Sequence, residues 1–297
     1  EIESLAREMA AAGFHVLTDP THADWAIVNT CAITQVADRK SRQLIRGLRR
    51  RNPALCIAVT GCSTASSPQE IADLEGVALV VRNGDKARLL ELLREAVGSV
   101  PPALGRPLPL PAGRTRALVR VQDGCDNACT YCFVRLARGA QRSRPPDAVL
   151  GEVRERLDEG YREVVLTGVH IGAYGRDSAP GAPLPPEAGW SLARLVRRVL
   201  CETAMGRVRL SSIEPQDLTD DLLALWGDGR LCRHVHLPIQ SGSDAVLRRM
   251  GRAYDARHVA ERVEALRRRA PDIAITTDVM VGFPGETDEE FAATMAF

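Results

Sequence analysis

The chain has 297 residues with 39 basic and 38 acidic side chains, a net charge of +1, and it is 45% hydrophobic and 26% charged. That is ordinary for a soluble globular protein with room for two cores, and no global charge points to nucleic acid. No apolar run approaches the roughly 18–20 residues of a membrane helix and no signal peptide is visible; eight cysteines are too few for a disulfide scaffold and point to metal ligation in a reducing compartment, the cytoplasm.

In chain order, Glu1–Ala12 is helix-like and opens without an initiator Met, so the natural N-terminus is expected upstream. The apolar run Phe14–Leu17 follows, then Trp25–Val28, which ends in Asn29-Thr30-Cys31. Asp38–Arg51 predicts a basic amphipathic helix, with Arg39, Arg42, Arg46 and Arg49 on one face, stopped by Asn52-Pro53. Leu55–Thr60 is β-like and ends at Gly61-Cys62. Helix-like Pro68–Leu74, strand-like Val77–Val81 and helix-like Asp85–Val97 complete the alternation. Strands alternating with helices predict a small doubly wound α/β domain over residues 1–98.

Residues 99–116 read as a linker, because five prolines between Pro101 and Pro111 hold a chain extended and build no core. A second domain, 117–297, starts with strand-like Ala117–Gln122 and a cysteine loop. Helix Asp147–Glu159, strand Glu163–Thr167, a Pro/Gly-rich loop over Asp177–Gly189, helix Leu192–Thr203 and strand Arg207–Ile213 follow. Then come helix Leu218–Leu225, strand His234–Ile239, helices Ala245–Arg249 and Ala256–Arg269, and strand Ile273–Val281. Five βα units in a row predict part of a parallel (β/α) barrel.

The loop after the first barrel strand reads Cys125-Asp126-Asn127-Ala128-Cys129-Thr130-Tyr131-Cys132. Three thiolates on one short loop suit three irons of a [4Fe–4S] cube and leave the fourth iron open to a substrate. The plainer alternative is structural zinc, which wants four closed ligands; no nearby His or Cys supplies a fourth. The spacing, with an aromatic before the last cysteine, resembles the radical S-adenosylmethionine (SAM) superfamily. That resemblance implies that the open iron binds SAM, and that an electron from the cluster cleaves it to a 5′-deoxyadenosyl radical.

Cys31 and Cys62 each end a predicted strand, and in a parallel sheet both strand ends share the ligand-binding edge. Two buried structural cysteines are the equal alternative, and that reading is preferred for Cys56, Cys201 and Cys232. Together, Asn29-Thr30-Cys31, Gly61-Cys62 and the Cys125–Cys132 loop resemble the methylthiotransferases. These are two-cluster radical SAM enzymes with a flavodoxin-like N-terminal domain. The resemblance implies a second, auxiliary [4Fe–4S] cluster on Cys31 and Cys62, with a third ligand before residue 1. It also implies an RNA-binding TRAM domain beyond residue 297, so the chain is expected to be trimmed at both ends. Ser63-Thr64-Ala65 departs from the family's usual Tyr-Ala-Gln.

Asp38–Gln43, Ala137-Arg138-Gly139, Arg142-Ser143-Arg144 and Leu166–Gly172 resemble the threonylcarbamoyladenosine tRNA branch. The implied reaction puts a methylthio group on C2 of N6-threonylcarbamoyladenosine beside the anticodon, with an electron donor and a sulfur donor of unknown identity. By the same resemblance Tyr131, Thr167, Ser212, Glu214, Gln240 and Asp278 are candidates for SAM contacts, although Ser, Asp, Gly and Pro also follow strands for local reasons. Arg135, Arg138, Arg142 and Arg144 flank the cluster loop and are candidates for RNA contact. The alternatives are a methylthiotransferase for isopentenyladenosine in tRNA or for a ribosomal protein, a radical SAM enzyme of unrelated reaction, and a non-enzymatic iron–sulfur protein.

Overall fold

The computed structural model describes residues 2–32, 34–98, 115–177, 184 and 189–297. The expected linker over 99–116 falls almost wholly outside these residues, as does most of the expected loop over Asp177–Gly189. The chain forms two compact units, Glu1–Gly113 with Cys132–Gly139, and Arg114–Tyr131 with Ala140–Phe297.

In the first unit, strands β1 (Trp25–Thr30), β2 (Cys56–Gly61) and β3 (Val77–Val80) form a parallel sheet in that order. Successive side chains along a strand face opposite sides, and the core divides accordingly. Ala26, Val28, Ile57 and Val59 pack with Ile45 and Leu48 of helix α2 (Gln35–Arg51). Trp25, Ile27 and Ala58 pack with Leu5 and Met9 of α1 (Ile2–Ala11). Short helices α3 (Ser63–Ser66) and α4 (Pro68–Ala72) follow β2, and α5 (Leu89–Val97) follows a 3₁₀ turn over Asn83–Arg88. Helices on both faces make the predicted doubly wound α/β arrangement. The run Phe14–Leu17 is not a strand; Phe14 and Val16 pack onto the α1 side of the core instead.

Helix α2 starts where Thr34 Oγ1 accepts the Ala37 amide at 3.1 Å, and ends at Asn52 before Pro53. The arginine stripe expected on one face divides. Arg42 is half-buried and pairs with Asp38 and Glu70 at 2.9 and 2.8 Å, and Arg49 pairs with Glu75 at 3.3 Å. Arg39 and Arg46 remain exposed. Arg42 and Arg49 stand about 60° round the helix from Arg39 and Arg46, where Glu70 and Glu75 meet them.

In the second unit, β4 (Arg116–Arg120), β7 (Glu163–Thr167) and β8 (Arg207–Leu210) are parallel neighbours, and β9 (His234–His236) pairs in parallel with β10 (Ala274–Thr276). The bridge Ser212↔His236 carries the order from β8 to β9. A short antiparallel ribbon, β5 (Gln122–Asp123) with β6 (Arg142–Ser143), stands beyond the end of β4. Helix α6 (Val134–Arg138), which precedes β6 in sequence, belongs to the first unit, and α7 (Pro146–Asp158) and α8 (Leu192–Glu202) return the chain to β7 and β8. Helices α9 (Asp220–Leu223), α10 (Asp244–Arg249), α11 (Ala256–Arg269) and α12 (Asp288–Ala296) complete the unit. One core of aliphatic side chains, with Trp226 and Tyr174, fills the space between strands and helices.

The last three strands are shorter than the apolar runs that predicted them. The ladder is interrupted beyond them: Pro238 has no N–H to give, and pairing resumes at the isolated bridge Gln240↔Val279, where Gln240 takes a positive φ of 67°. The opposite end of the sheet is closed by charge. Glu163, at the start of β7, receives Arg209, Arg207 and Arg116 from the flanking strands at 2.7, 2.8 and 3.1 Å. Burial alone would raise its pKa, and the arginines outweigh burial and hold it below the usual value. Its ionised form therefore stabilises the fold above the ordinary carboxylate range and is lost as pH falls through the lowered folded value. Glu163→Gln is expected to cost about 1–2 kcal/mol at pH 7, with the gap to wild type closing in acid. Urea denaturation at pH 7 and pH 3 checks both halves.

Candidate metal and cofactor site

All eight cysteines are free thiols. In the second unit, the loop with Cys125 and Cys129 leaves β4 at the C-terminal edge of the parallel sheet, where barrel enzymes place their chemistry. The same edge receives the loop after β7, because Arg120 and Thr167 are the last register pair of β4 and β7. One buried side chain joins the two loops. Gln122 Nε2 donates to the carbonyls of Asp123 and Gly124 at 3.0 and 2.8 Å, while its Oε1 accepts the amides of Val169 and His170 at 3.1 and 2.8 Å. The far side of the loop is fastened to the end of α10. Thr130 donates its amide to the Met250 carbonyl at 3.1 Å and its hydroxyl to the Arg249 carbonyl at 3.0 Å.

Two strings of charged groups reach the sulfurs. In the first, Arg176 meets Asp217 Oδ1 at 2.5 Å, Asp217 Oδ2 lies 2.6 Å from His170 Nε2, and His170 Nδ1 lies 3.8 Å from Cys125 Sγ. Burial alone would push the His170 pKa down, but its bonds to Asp217 and Cys125 push it up to about 10. Asp217 is held below the usual range because His170 and Arg176 outweigh its own desolvation. Gly172 makes room for this pairing, since a Cβ there would stand 2.3 Å from Asp217 Oδ2. In the second string, Arg252 Nη1 donates to Glu214 Oε1 at 2.8 Å and to Cys129 Sγ at 3.6 Å. Glu214 Oε2 also accepts from Asn127 at 3.2 Å and Gln216 at 2.5 Å.

These residues fit an anionic metal centre. Thiolates are the ligands that iron–sulfur clusters take, and both sulfurs are approached by donors rather than carboxylates. Nε of Arg252 is buried without an acceptor among the described residues, an orphan that an anionic group beside the loop would satisfy. His170, Glu214 and Asp217 bring ligand atoms within 4.8 Å of one another. Arg176 and Arg252 already neutralise their carboxylates, so the trio reads as support for the cysteines and not as a separate cation site.

The other expected residues are distributed along the same edge. Tyr131 is at the exposed margin, edge-on to Phe283 with ring centroids 6.3 Å apart. Thr167 ends β7, and Ser212 is exposed opposite His236. Gln240 donates its amide to the Asp278 carbonyl at 2.9 Å, and the Asp278 carboxylate lies 3.3 Å from His236 Nε2. Of the arginines, Arg135 and Arg142 are exposed, whereas Arg144 pairs with Glu152 at 2.5 Å and the Arg120 carbonyl at 2.7 Å. Cys132 is exposed and opens the segment Cys132–Gly139 that belongs with the first unit. Sequence reasoning passed over Gln122, Arg176 and Asp217; none has a local signal, because each matters through a partner distant in sequence.

In the first unit, Thr30 pairs with Gly61 as the last register pair of β1 and β2, so Cys31 and Cys62 leave adjacent strands side by side. Gly61 has φ +102°, and a Cβ on it would stand 2.2 Å from the Thr30 carbonyl, so only glycine admits this approach. Cys62 is buried and its amide bonds the Thr30 carbonyl at 3.0 Å, while Cys31 is exposed. The edge also holds Lys86, whose Nζ donates to Asn29 Oδ1 at 2.8 Å.

Two substitutions test this geometry. Gln122→Glu sets a carboxylate oxygen against two carbonyls and is expected to cost about 2–4 kcal/mol and to lower the iron bound after anaerobic reconstitution. Denaturation curves and iron assay check it; unaltered values would contradict the clamp. Gln240→Gly relieves a left-handed backbone and is expected to stabilise the protein by about 0.5–1 kcal/mol while removing the carboxamide, measured as a raised urea midpoint.

The radical SAM superfamily profile matches residues 119–297, and that of the uncharacterized protein family UPF0004 matches residues 1–82. The threonylcarbamoyladenosine tRNA methylthiotransferase MtaB of Bacillus subtilis is 38% identical over 100% of this chain and 67% of its own length. That of Thermotoga maritima is 40% identical, over 99% and 68%. The tRNA-2-methylthio-N6-dimethylallyladenosine synthase of Syntrophobacter fumaroxidans is 37% identical, over 97% and 65%. The chain thus spans about two thirds of the length of such relatives. Among solved structures, the radical SAM methyltransferase TsrM from Kitasatospora setae matches all of this chain and 62% of its own with a TM-score of 0.64 at 16% identity, a likeness of fold. With its cysteine loop at the C-terminal edge of five parallel strands, the chain belongs to the radical SAM superfamily and, within it, to the tRNA methylthiotransferase family of these relatives.

Proposed function

We propose that the enzyme methylthiolates carbon 2 of N6-threonylcarbamoyladenosine beside the anticodon of tRNA. The observation that carries this reading is 36–40% identity, over nearly the whole chain, to three threonylcarbamoyladenosine tRNA methylthiotransferases. The family works with a [4Fe–4S] cluster and SAM, and methylthiotransferases carry a second cluster. Cys125, Cys129 and Cys132 would hold the SAM-binding cluster, and Cys31 and Cys62 would supply two ligands of the auxiliary one. When bound, the first cluster would supply the electron for reductive cleavage of SAM, the source of radical chemistry at C2.

The chain's own residues bind and orient. Gln122 and Thr130 fix the loop on both sides, so the thiols are presented without a search through loop conformations. Tyr131, Thr167, Ser212, Gln240 and Asp278 would line the SAM pocket, with Glu214 acting through Arg252. Arg135, Arg138 and Arg142 would meet tRNA phosphates, with a smaller share for the ion-paired Arg144. This reading divides the chain into an auxiliary-cluster domain (1–98), a linker (99–116) and a radical SAM domain (117–297). It also requires an electron donor and a sulfur donor, and it places the enzyme in the cytoplasm with its tRNA. No helix among the described residues is long and apolar enough to cross a membrane.

The test uses the full-length gene in its host. Deleting it and weighing the nucleosides of digested tRNA by mass spectrometry should show the methylthio form of threonylcarbamoyladenosine disappear and its parent accumulate. Loss of methylthio-isopentenyladenosine instead would assign the chain to the branch of the Syntrophobacter relative, and no change in either nucleoside would refute the tRNA reading.

A further inference from the structure

We infer that His170 and Arg252 are positioning residues that hold the SAM-binding cluster at a potential where it accepts an electron, each by donating a hydrogen bond to one cluster thiolate. The inference rests on the assignment of Cys125 and Cys129 as cluster ligands. It starts from the pairing of donors and acceptors. A cysteine bound to iron has lost its S–H, so the proton between Cys125 Sγ and His170 Nδ1, 3.8 Å apart, has to come from the imidazole. The other ring nitrogen faces the Asp217 carboxylate at 2.6 Å, also an acceptor. With acceptors on both sides the ring carries hydrogen on both nitrogens and a positive charge. Arg252 is a cation in any case. Its Nη1 has two hydrogens, one for Glu214 Oε1 at 2.8 Å and one for Cys129 Sγ at 3.6 Å.

Both cations are almost wholly withdrawn from water: the side chains of His170 and Arg252 are 7% and 5% exposed. Charge interactions there are screened far less than at the surface. The carboxylates behind them keep the cations charged and aimed, as the outer partners of metal-binding histidines do. Arg176 on the far oxygen of Asp217 leaves the first string with a net positive charge. A buried ion pair contributes little stability relative to well-packed apolar side chains.

Reduction adds one electron, from an external low-potential donor, to a group already made negative by its thiolates. No bond forms or breaks, and His170 and Arg252 keep their protons. A hydrogen bond to sulfur stabilises the more negative, reduced form, and hydrogen bonds to sulfur are among the factors that set cluster potentials. Two such bonds on two of the three thiolates favour the state that delivers an electron to SAM.

The experiment is a redox titration, followed by electron paramagnetic resonance, of the anaerobically reconstituted chain without SAM, at one fixed pH. His170→Gln and Arg252→Gln keep an amide donor and remove the charge; Arg252→Lys keeps the charge. Each Gln variant is expected to lower the equilibrium constant for reduction about tenfold, about 59 mV for a one-electron couple, with Arg252→Lys nearer wild type. Potentials equal to wild type in both Gln variants, at equal iron content, overturn the inference and leave the cluster assignment standing. Wild-type protein with no cluster signal overturns both. Should the Gln variants fail to hold iron, the wild type labelled with ¹⁵N-histidine decides: a hyperfine coupling between labelled nitrogen and the reduced cluster supports the bond from His170, and its absence overturns it.

Discussion

The parallel pairing of β4 with β7 is the interaction on which the site depends. Five register pairs run from Arg116↔Glu163 to Arg120↔Thr167, so both chains leave the sheet at one level and in one direction. Antiparallel pairing would have sent the cysteine loop and the His170 loop to opposite ends. The exit alone places backbone, not side chains. Gln122 converts proximity into geometry, because a single carboxamide has the two donors and two lone pairs needed to hold both loops at once. Its burial makes every one of those bonds expensive to lose.

The opposite ends of the same strands show how position along a parallel sheet separates stability from chemistry. At the strand starts, Glu163 gathers three arginines and its ionised form holds β4, β7 and β8 together. At the strand ends, carboxylates are again paired with cations, but there the cations reach past them to sulfur. Asp217 and Glu214 carry the cost of burying His170 and Arg252 near the cysteines, and Gly172 removes the one methyl group that would block the first pairing. The two clusters of charge are built from the same residue types and differ in what lies on the far side of the cation.

The first unit repeats the logic of the strand edge on a smaller sheet. Pairing of Thr30 with Gly61 sets Cys31 beside Cys62 although 31 positions separate them in sequence. The close backbone approach there is possible because Gly61 has no side chain. Thr64 locks the turn from inside, donating its hydroxyl to the Gly61 carbonyl at 2.8 Å. Of the two thiols at this edge, Cys31 is exposed and Cys62 is buried.

Much of this was legible in the residues themselves, since local properties declare themselves locally. The spacing of Cys125, Cys129 and Cys132, the alternation of apolar strands with amphipathic helices, and the polar residues after each strand all lie within a few positions of one another. The alternation predicts a doubly wound domain followed by a parallel barrel, the cysteine spacing resembles the radical SAM signature, and helix Ala256–Arg269 forms over the residues predicted for it. The strands are shorter than their apolar runs because the ladder is interrupted at Pro238 while side chains stay apolar at Ile239 and on to Val281. Helical spacing puts the α2 arginines on one face, but contacts with Glu70 and Glu75 take Arg42 and Arg49 inward. What only the tertiary structure decided is the electrostatics around the thiols. Asp217 lies 47 residues from His170, and Arg252 lies 123 residues from Cys129. Hydrogen bonds and ion pairs act over a few ångströms in space, and no periodicity in the sequence records which distant side chains the fold brings within that distance.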